Sequence, residues 1–232
     1  MVKYINKMAK EIIVISLGGS LVAPDKIDLT FLNNFKNVIL NNLNGRRFYI
    51  SVGGGKICRV YQQVLEEYGA SDTERDWAGI GVTRINAQIV RQIFGDLACP
   101  KIGTDPTKKL GSEYDIFISG GWKPGRSTDY GTVILAKTVG AKTVINLTNI
   151  DYVYDKDPSK FPDAKKIEKM GWSDYRKIVG PKWSPGLSSP FDPIASQIAE
   201  KQKLRVAIIN GKHLERLDSF LNNKPFVGTT IN

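Results

Sequence analysis

Phe48-Tyr49-Ile50-Ser51-Val52-Gly53-Gly54-Gly55-Lys56-Ile57-Cys58-Arg59 is the stretch on which the fold turns. Its first half, Phe48–Val52, is a short apolar run that reads as a buried strand, and Ile57–Leu65 reads as a helix. The three glycines between them leave backbone N–H groups bare at a helix N-terminus. No Cβ blocks close approach there, and the helix dipole favours negative charge. Lys56 and Arg59 add full positive charge on the first turn. One glycine cluster alone is read more simply as a tight turn. Here Gly18-Gly19-Ser20 ends the first strand in the same way, and Gly120-Gly121 ends another. Three such ends in one chain point to a shared phosphate site.

The flanking pattern repeats strand and helix. Glu11–Leu17 reads as a buried strand, and Asp28 as the cap of a helix carrying Leu29, Leu32, Phe35, Ile39 and Leu43. A long helix is expected over Thr73–Phe94, with Trp77, Ile80, Ile85, Ile89, Val90 and Ile93 at helical spacing. Its polar residues Asp76, Arg84 and Asn86 read as a solvated face, for Arg84 by a narrow margin. Leu97–Ile102 reads as a short strand, Gly103–Glu113 as a loop and Asp115–Ser119 as another buried strand. The segment Gly120–Asp129 is too rich in Gly, Pro and side-chain donors for a core. It leads into a helix, Tyr130–Val139, with Ser127, Thr128 or Asp129 as its cap.

Lys142–Leu147 is a further strand, and alternation of Ile150, Tyr152 and Tyr154 allows a small hairpin within Thr148–Pro158. Trp172–Ile178 reads as a short helix and Gly180–Pro190 as a mobile loop. A helix follows over Phe191–Lys201, opened by Asp192-Pro193, then a strand at Leu204–Ile209, a helix at Lys212–Leu221 and a strand at Val227–Ile231. The fold class expected is α/β, a mainly parallel central sheet with helices on both faces.

The 232 residues suit one large domain over residues 1–232 or two closely packed lobes, without repeat or linker. Cys58 and Cys99 make neither a disulfide framework nor a metal cluster, which points to a reducing, cytoplasmic setting. Met1–Lys10 carries three lysines, but the apolar run Ile12–Leu17 is too short for a signal peptide and breaks at Gly18-Gly19. No stretch approaches membrane-span length. The formal net charge of +10 is compatible with nucleic acid or an acidic small molecule. Lysines are spread along the chain without a nucleic-acid motif, so a phosphorylated small molecule is the better partner. His213, the single histidine, lies in a polar stretch near the C-terminus, which argues against a histidine-based triad or a multi-histidine metal site, and reads as a surface or helix-start residue.

A P-loop requires Lys and then Ser or Thr after its second glycine, but Lys56 is followed by Ile57. The dinucleotide fingerprint G-x-G-x-x-G is absent at Gly18-Gly19-Ser20-Leu21-Val22, which argues against a dehydrogenase. Several anion loops, no histidine base and no cysteine nucleophile at a helix start leave phosphoryl transfer by positioning and charge neutralisation. The residues by themselves reach a phosphate-ester or nucleotide-binding α/β enzyme.

The chain also resembles the uridylate (UMP) kinases of the amino-acid kinase superfamily, the archaeal type most closely. The resemblance runs from about Ile12 to Ile231. It rests on Gly18-Gly19-Ser20-Leu21, on Val52-Gly53-Gly54-Gly55-Lys56 with Arg59, and on Asp76-Trp77-Ala78-Gly79-Ile80 leading to Thr83-Arg84-Ile85-Asn86-Ala87. It continues through Gly120-Gly121, Pro124-Gly125, Ser127-Thr128-Asp129, Thr148-Asn149-Ile150-Asp151, Tyr154, Asp157-Pro158, Asp192-Pro193-Ile194-Ala195 and Gly228-Thr229-Thr230-Ile231. Their order and spacing together are specific.

The resemblance implies a three-layer αβα sandwich, with an acceptor lobe over about 11–140 and an ATP lobe over about 141–232. It implies transfer of the ATP γ-phosphoryl to UMP with Mg²⁺, in pyrimidine nucleotide biosynthesis, by a cytoplasmic homo-hexamer built as a trimer of dimers. The helices Asp28–Leu43 and Thr73–Phe94 are its expected contacts. ATP contacts carried over are Gly19, Ser20, Gly55, Arg59, Thr148, Asn149, Tyr154 and Asp157. UMP contacts are Gly54, Asp76 (for the ribose hydroxyls) and the loop Trp122, Lys123, Pro124, Gly125, Arg126, Ser127 and Thr128. Asp129, Arg59 and Asp192 form the catalytic set.

Two departures stand out. Bacterial members place a lysine two residues before the Gly18 position, where this chain has Ser16. Archaeal members lack it too, so Lys56, Arg59, Lys123 and Arg126 are the candidates for neutralising charge. The Asp-Gly pair of the family's ATP loop is here Asp151-Tyr152. The alternatives are a superfamily member with another small phosphorylated acceptor, or a non-catalytic anion-binding protein on the same fold.

Overall fold

Strand β1 (Glu11–Leu17) lies inside a seven-stranded sheet, and Ile13 to Leu17 are buried on both of its faces. The computed structural model describes residues 10–111, 113–180 and 189–232. After β1 come a single helical turn α1 (Gly19–Val22), α2 (Leu29–Asn41), β2 (Arg46–Val52), α3 (Gly55–Glu67), α4 (Asp72–Phe94) and β3 (Ile116–Ser119). The chain continues with α5 (Thr128–Val139), β4 (Thr143–Thr148), β5 (Val153–Tyr154), β6 (Lys166–Ile167), β7 (Lys169–Met170) and α6 (Trp172–Val179). It closes with α7 (Pro193–Lys201), β8 (Arg205–Asn210), α8 (Leu214–Leu221) and β9 (Thr229–Ile231).

The sheet order is β3-β2-β1-β4-β8-β9-β7. The five strands from β3 to β8 are parallel, β9 is antiparallel to β8, and β7 is parallel to β9. Alternate residues feed two cores. Ile13, Ile15 and Leu17 join Phe48, Ile50 and Ile145 beneath α2, α4 and α8. Val14 joins Tyr49, Phe117, Val144 and Val206 beneath α5, α6 and α7. The result is the expected three-layer αβα sandwich. Fully buried side chains such as Phe35, Ile15 and Phe117 each contribute about 1.5–3 kcal/mol to it.

From β1 the chain adds strands outward through β2 to β3, then returns to place β4 and β8 on the other side of β1. Connections leave β1 and β4 in opposite directions, so the carboxyl ends of these neighbours bound a crevice. In open α/β sheets ligands bind at such a switch point. The glycine ends of β1 and β2 and the Thr148-Asn149 end of β4 all open on this edge.

Several local expectations are corrected. Leu97–Ile102 is not a strand. It follows a short 3-10 turn at Gly95–Leu97 and touches the sheet through isolated bridges of Ala98 and Gly103 to β3. No hairpin forms within Thr148–Pro158, because β5 pairs antiparallel with β6 across the Asp155–Lys165 turn region. Sequence reading missed β6, β7 and α1, which are two to four residues long and carry no period. Most of the loop expected to be mobile, residues 181–188, lies outside the described residues, as do residues 1–9. Asp28 does cap α2, accepting from Phe31 N–H, and Ser71 with Glu74 forms a full capping box on α4. His213 is a half-exposed helix-start residue.

Candidate active site

The glycine loops after β1 and β2 lie backbone against backbone. A Cβ on Gly19 would collide with the backbone of Gly53–Gly55, and one on Gly55 would come within 2.6 Å of the Gly19 carbonyl carbon. Gly55 also has φ +71°, a conformation that costs a side-chain-bearing residue energy. Asn86 of α4, only 3% exposed, donates its amide to the carbonyls of Gly53 (2.9 Å) and Gly54 (3.3 Å). The carbonyls are thereby tied back into the protein.

A cleft of about 230 Å³ opens beside this junction. Gly54, Gly55 and Arg59 line it from α3, Asp76 and Thr83 from α4, and Gly121, Arg126, Ser127 and Thr128 from the segment entering α5. Two helix N-termini, those of α3 and α5, therefore border one cavity, and two arginines join them. Aligned peptide dipoles, bare N–H groups and guanidinium charge make a site for an anion of several oxygens. Asp76 adds one carboxylate to the same wall. A second pocket of about 130 Å³ shares Arg126 and Ser127 and is lined by Gly125, Tyr130, Asp192 and Ile194. Trp122 lines a tighter cavity behind the loop, with Phe117, Ser119 and Leu135.

Helix α4 holds the loop that enters α5. Gly121 N–H donates to Thr83 Oγ1 at 2.7 Å, and Arg84 donates to the carbonyls of Gly121 (3.2 Å) and Trp122 (3.3 Å). Asp76 Oδ2 accepts from Gly125 N–H at 2.6 Å. Gly120 and Gly121 permit this contact, since a Cβ on either would press on Arg84 or Thr83. The solvated-face reading of Arg84 and Asn86 is thus corrected. Asp76 and Thr83 are seven residues apart, two helical turns, which was the available signal for one shared polar face.

Asp129 lies behind the cleft. The cap of α5 is Ser127, whose hydroxyl accepts from Tyr130 N–H, so the side chain of Asp129 is not spent on capping. Its Oδ1 accepts from Ser16 Oγ at 2.9 Å and its Oδ2 from Asp192 N–H at 3.2 Å. Although the residue as a whole is only half-buried, its carboxyl group is enclosed. Burial raises its pKa from 3.8 to about 6, the Asp192 charge adds to the rise, and the two hydrogen bonds oppose it. Asp192 in turn caps α7, accepting from Ala195 N–H at 2.7 Å. Asn146 and Tyr175 fix the chain before it, donating to the carbonyls of Pro190 and Phe191.

The four candidate cations separate. Lys56 pairs with Asp25 at 2.5 Å on the outer side of α3, and Lys123 stacks 4.1 Å over the Trp122 ring. Arg59 and Arg126 remain on the cleft wall. Neither Lys123 nor Pro124 lines the cavities described. Of the expected ATP contacts, Gly19 and Gly55 meet at the loop junction, and Ser20 follows in α1. Thr148 and Asn149 end β4, with Thr148 close to Gly18, while Tyr154 lies on β5 and Asp157 closes a turn with Ser159. Thr148 and Asn149 lie at the carboxyl end of the main sheet, Tyr154 belongs to the separate β5-β6 pair, and none of the four lines the cleft.

Residues 11–210 match the amino acid kinase family. A uridylate kinase of Pyrococcus abyssi is 34% identical over 222 residues, covering 94% of this chain and 98% of that protein. One from Methanocaldococcus jannaschii is 36% identical over 215 residues, covering 89% and 93%. The crystal structure of uridylate kinase from Archaeoglobus fulgidus aligns with a TM-score of 0.82 at 31% identity, covering 95% of this chain and 99% of that one.

Proposed function

We propose that this chain, which belongs to the amino acid kinase family, transfers the γ-phosphoryl group of ATP to UMP, giving UDP and ADP. The observation that carries the reading is the cleft bordered by the N-termini of α3 and α5, with Arg59, Arg126 and Asp76 on its walls. An acceptor phosphate fits the two helix starts and the arginines. The Asp76 carboxylate can accept from ribose hydroxyls, and Trp122 offers an aromatic face near the base. Residues of about 11–140 form the acceptor lobe and those of about 141–232 the ATP lobe. ATP lies along the sheet edge, its phosphates at Gly19, Ser20, Gly55 and Arg59 and its nucleoside toward Thr148, Asn149, Tyr154 and Asp157.

An oxygen of the UMP phosphate attacks the γ-phosphorus as the bond to the ADP oxygen breaks. The acceptor is already an anion, so no general base is required and the protein's task is positioning and charge neutralisation. Arg59 and Arg126 meet the charge, and Asp129 orients the groups at the transfer point. Among the described residues no cluster of three or more His, Cys, Asp or Glu could hold a metal by itself. The carboxylates of Asp129 and Asp192, close enough for the charge of one to act on the other, would hold Mg²⁺ arriving with ATP, since that ion commonly uses one or two carboxylates plus substrate phosphates. It would supply positive charge against the phosphates there.

A coupled assay with Mg-ATP and a panel of monophosphates tests the substrate. Turnover of UMP well above CMP, AMP and GMP is expected, and equal turnover or none with UMP refutes it. Mere anion binding is less well supported, because Asp129, Asp192 and both glycine loops are all in place, and the uridylate kinase relatives favour UMP over another phosphorylated acceptor.

The same reading includes a cytoplasmic homo-hexamer. No helix among the described residues is long and apolar enough to cross a membrane. Helix α2 buries its apolar face in the core through Phe31, Leu32, Phe35 and Ile39, which leaves little for contact. Helix α3 buries no residue, yet Ile57, Val60, Tyr61, Val64 and Tyr68 form an exposed apolar stripe on it. Ile57, Val60 and Tyr61 of this stripe, with Ile85 of α4, border a groove of about 380 Å³. We assign the contact between copies to α3 and the adjoining face of α4.

A further inference from the structure

The segment that follows β4 is tied to the helix at the far end of the chain. Arg216 of α8 donates to Asp151 Oδ1 at 2.5 Å, and Asn210 Nδ2 donates to the same oxygen at 3.0 Å. The orientation of the Asn210 amide is set, because its Oδ1 accepts from Lys212 N–H at 3.1 Å. Gly211 N–H adds a bond to the Thr148 carbonyl at 2.8 Å. Side chain and backbone of the β8–α8 connection therefore grip Thr148–Asp151 at two points. Beyond Asp151 the chain is held by β9, where Thr229 Oγ1 accepts from Val153 N–H at 2.8 Å.

The Arg216 side chain is 17% exposed and that of Asp151 46%, so the pair lies at the edge of solvent with the guanidinium on its inner side. The carboxyl of Asp151 is held below the ordinary aspartate range, first by the Arg216 hydrogen bond and then by that of Asn210. Leu217, Phe220 and Leu221 of α8 are buried in the core. The helix is thus an anchored support, and Arg216 is the side chain that carries its position to the loop.

We propose that Arg216, acting through Asp151, is a positioning residue for the donor nucleotide: it holds Thr148–Tyr154 in the arrangement that receives ATP. The inference rests on the assignment of that segment to ATP in the functional reading above. Without Arg216 the segment keeps the Asn210 bond to Asp151 and the ties of its two ends to Gly211 and Thr229, and ordering its middle again must then come out of ATP binding.

The test measures ATP and UMP binding separately by calorimetry, with UDP formation and melting temperature alongside, in R216M, R216K, D151A and the D151A/R216M double variant. R216M should weaken ATP binding about tenfold, as loss of one charged hydrogen bond implies, and D151A, which also removes the Asn210 bond, at least as much; both should leave UMP binding within about twofold. R216K, which retains a donor for the single bond, should recover most of the affinity. The double variant should bind ATP no worse than D151A alone, since Arg216 acts through that carboxylate. Unchanged ATP affinity in D151A, equal loss for ATP and UMP, or losses that multiply in the double variant would overturn the proposal. D151A alters an exposed side chain, so it decides the matter even if R216M folds poorly. A wild-type protein that binds ATP but makes no UDP removes the UMP reading and leaves this one standing. A wild-type protein that does not bind ATP overturns both.

Discussion

Replacing Asp129 by asparagine separates its electrostatic role from its shape. The enclosed carboxyl has its pKa raised from 3.8 to about 6, chiefly by burial. A raised acid pKa means the folded protein prefers the protonated form. The corresponding stability is fully present below pH 3.8 and is lost as pH rises through about 6. A rise of about two pH units, at about 1.4 kcal/mol each, means that ionisation costs the folded state about 3 kcal/mol by neutral pH. In a chain of this size that is roughly 6–12 °C in melting temperature. The asparagine side chain carries no charge, so the wild type should melt progressively lower relative to Asp129→Asn as pH rises from about 4.5 to about 7.5. Other titrating groups cancel in that difference. The α5 cap is untouched, because Ser127 supplies it. Turnover at saturating ATP and UMP should nevertheless fall on the order of 100-fold, the scale of a lost preorganised electrostatic contact. Differential scanning of both proteins across this range, with initial rates at the neutral end, makes the comparison. Melting curves that run parallel with pH would refute the buried-charge argument. A fully active Asp129→Asn enzyme would remove Asp129 from the catalytic set.

Three further outcomes are expected. Arg59→Ala should weaken nucleotide-phosphate binding by about 1.5–3 kcal/mol with little change in melting temperature, and unchanged kinetic constants would make Arg59 a plain surface arginine. Arg84→Met should raise KM for UMP several-fold while KM for ATP stays put, because two carbonyls of the acceptor loop lose their donor. Steady-state kinetics with each substrate varied in turn would decide that. Val64→Asp places a charge in the exposed stripe of α3, and light scattering should then report smaller particles than the wild type; an unaltered size, or a monomeric wild type, would contradict the α3 contact.

What sequence alone determined follows from short-range physics. Buried apolar runs gave β1, β3, β4 and β8 to within one residue at each end, since a strand covered on both faces must be apolar throughout, while β2 begins two residues earlier than its apolar run, at Arg46. Capping residues such as Asp28 and Asp192 marked helix starts, because only a few side chains satisfy the orphan N–H groups there. The glycine clusters marked bare backbone at helix starts for the same local reason. Which of the neighbouring cations reach the cleft was decided by tertiary structure. Lys56 and Arg59 are three residues apart on one helix, yet one pairs with Asp25 outside and the other lines the cleft. The partners of Asp129 were equally hidden: Ser16 is 113 residues away and Asp192 63, and neither distance leaves a periodic trace. Asn86 and Arg84 looked like surface residues until the glycine loops closed over them, because a polar side chain on a helix is read as solvated unless its buried acceptor is known. Local sequence specifies strands, caps and bare backbone; the charge balance of the site depends on which distant carboxylates and carbonyls the fold brings against each side chain.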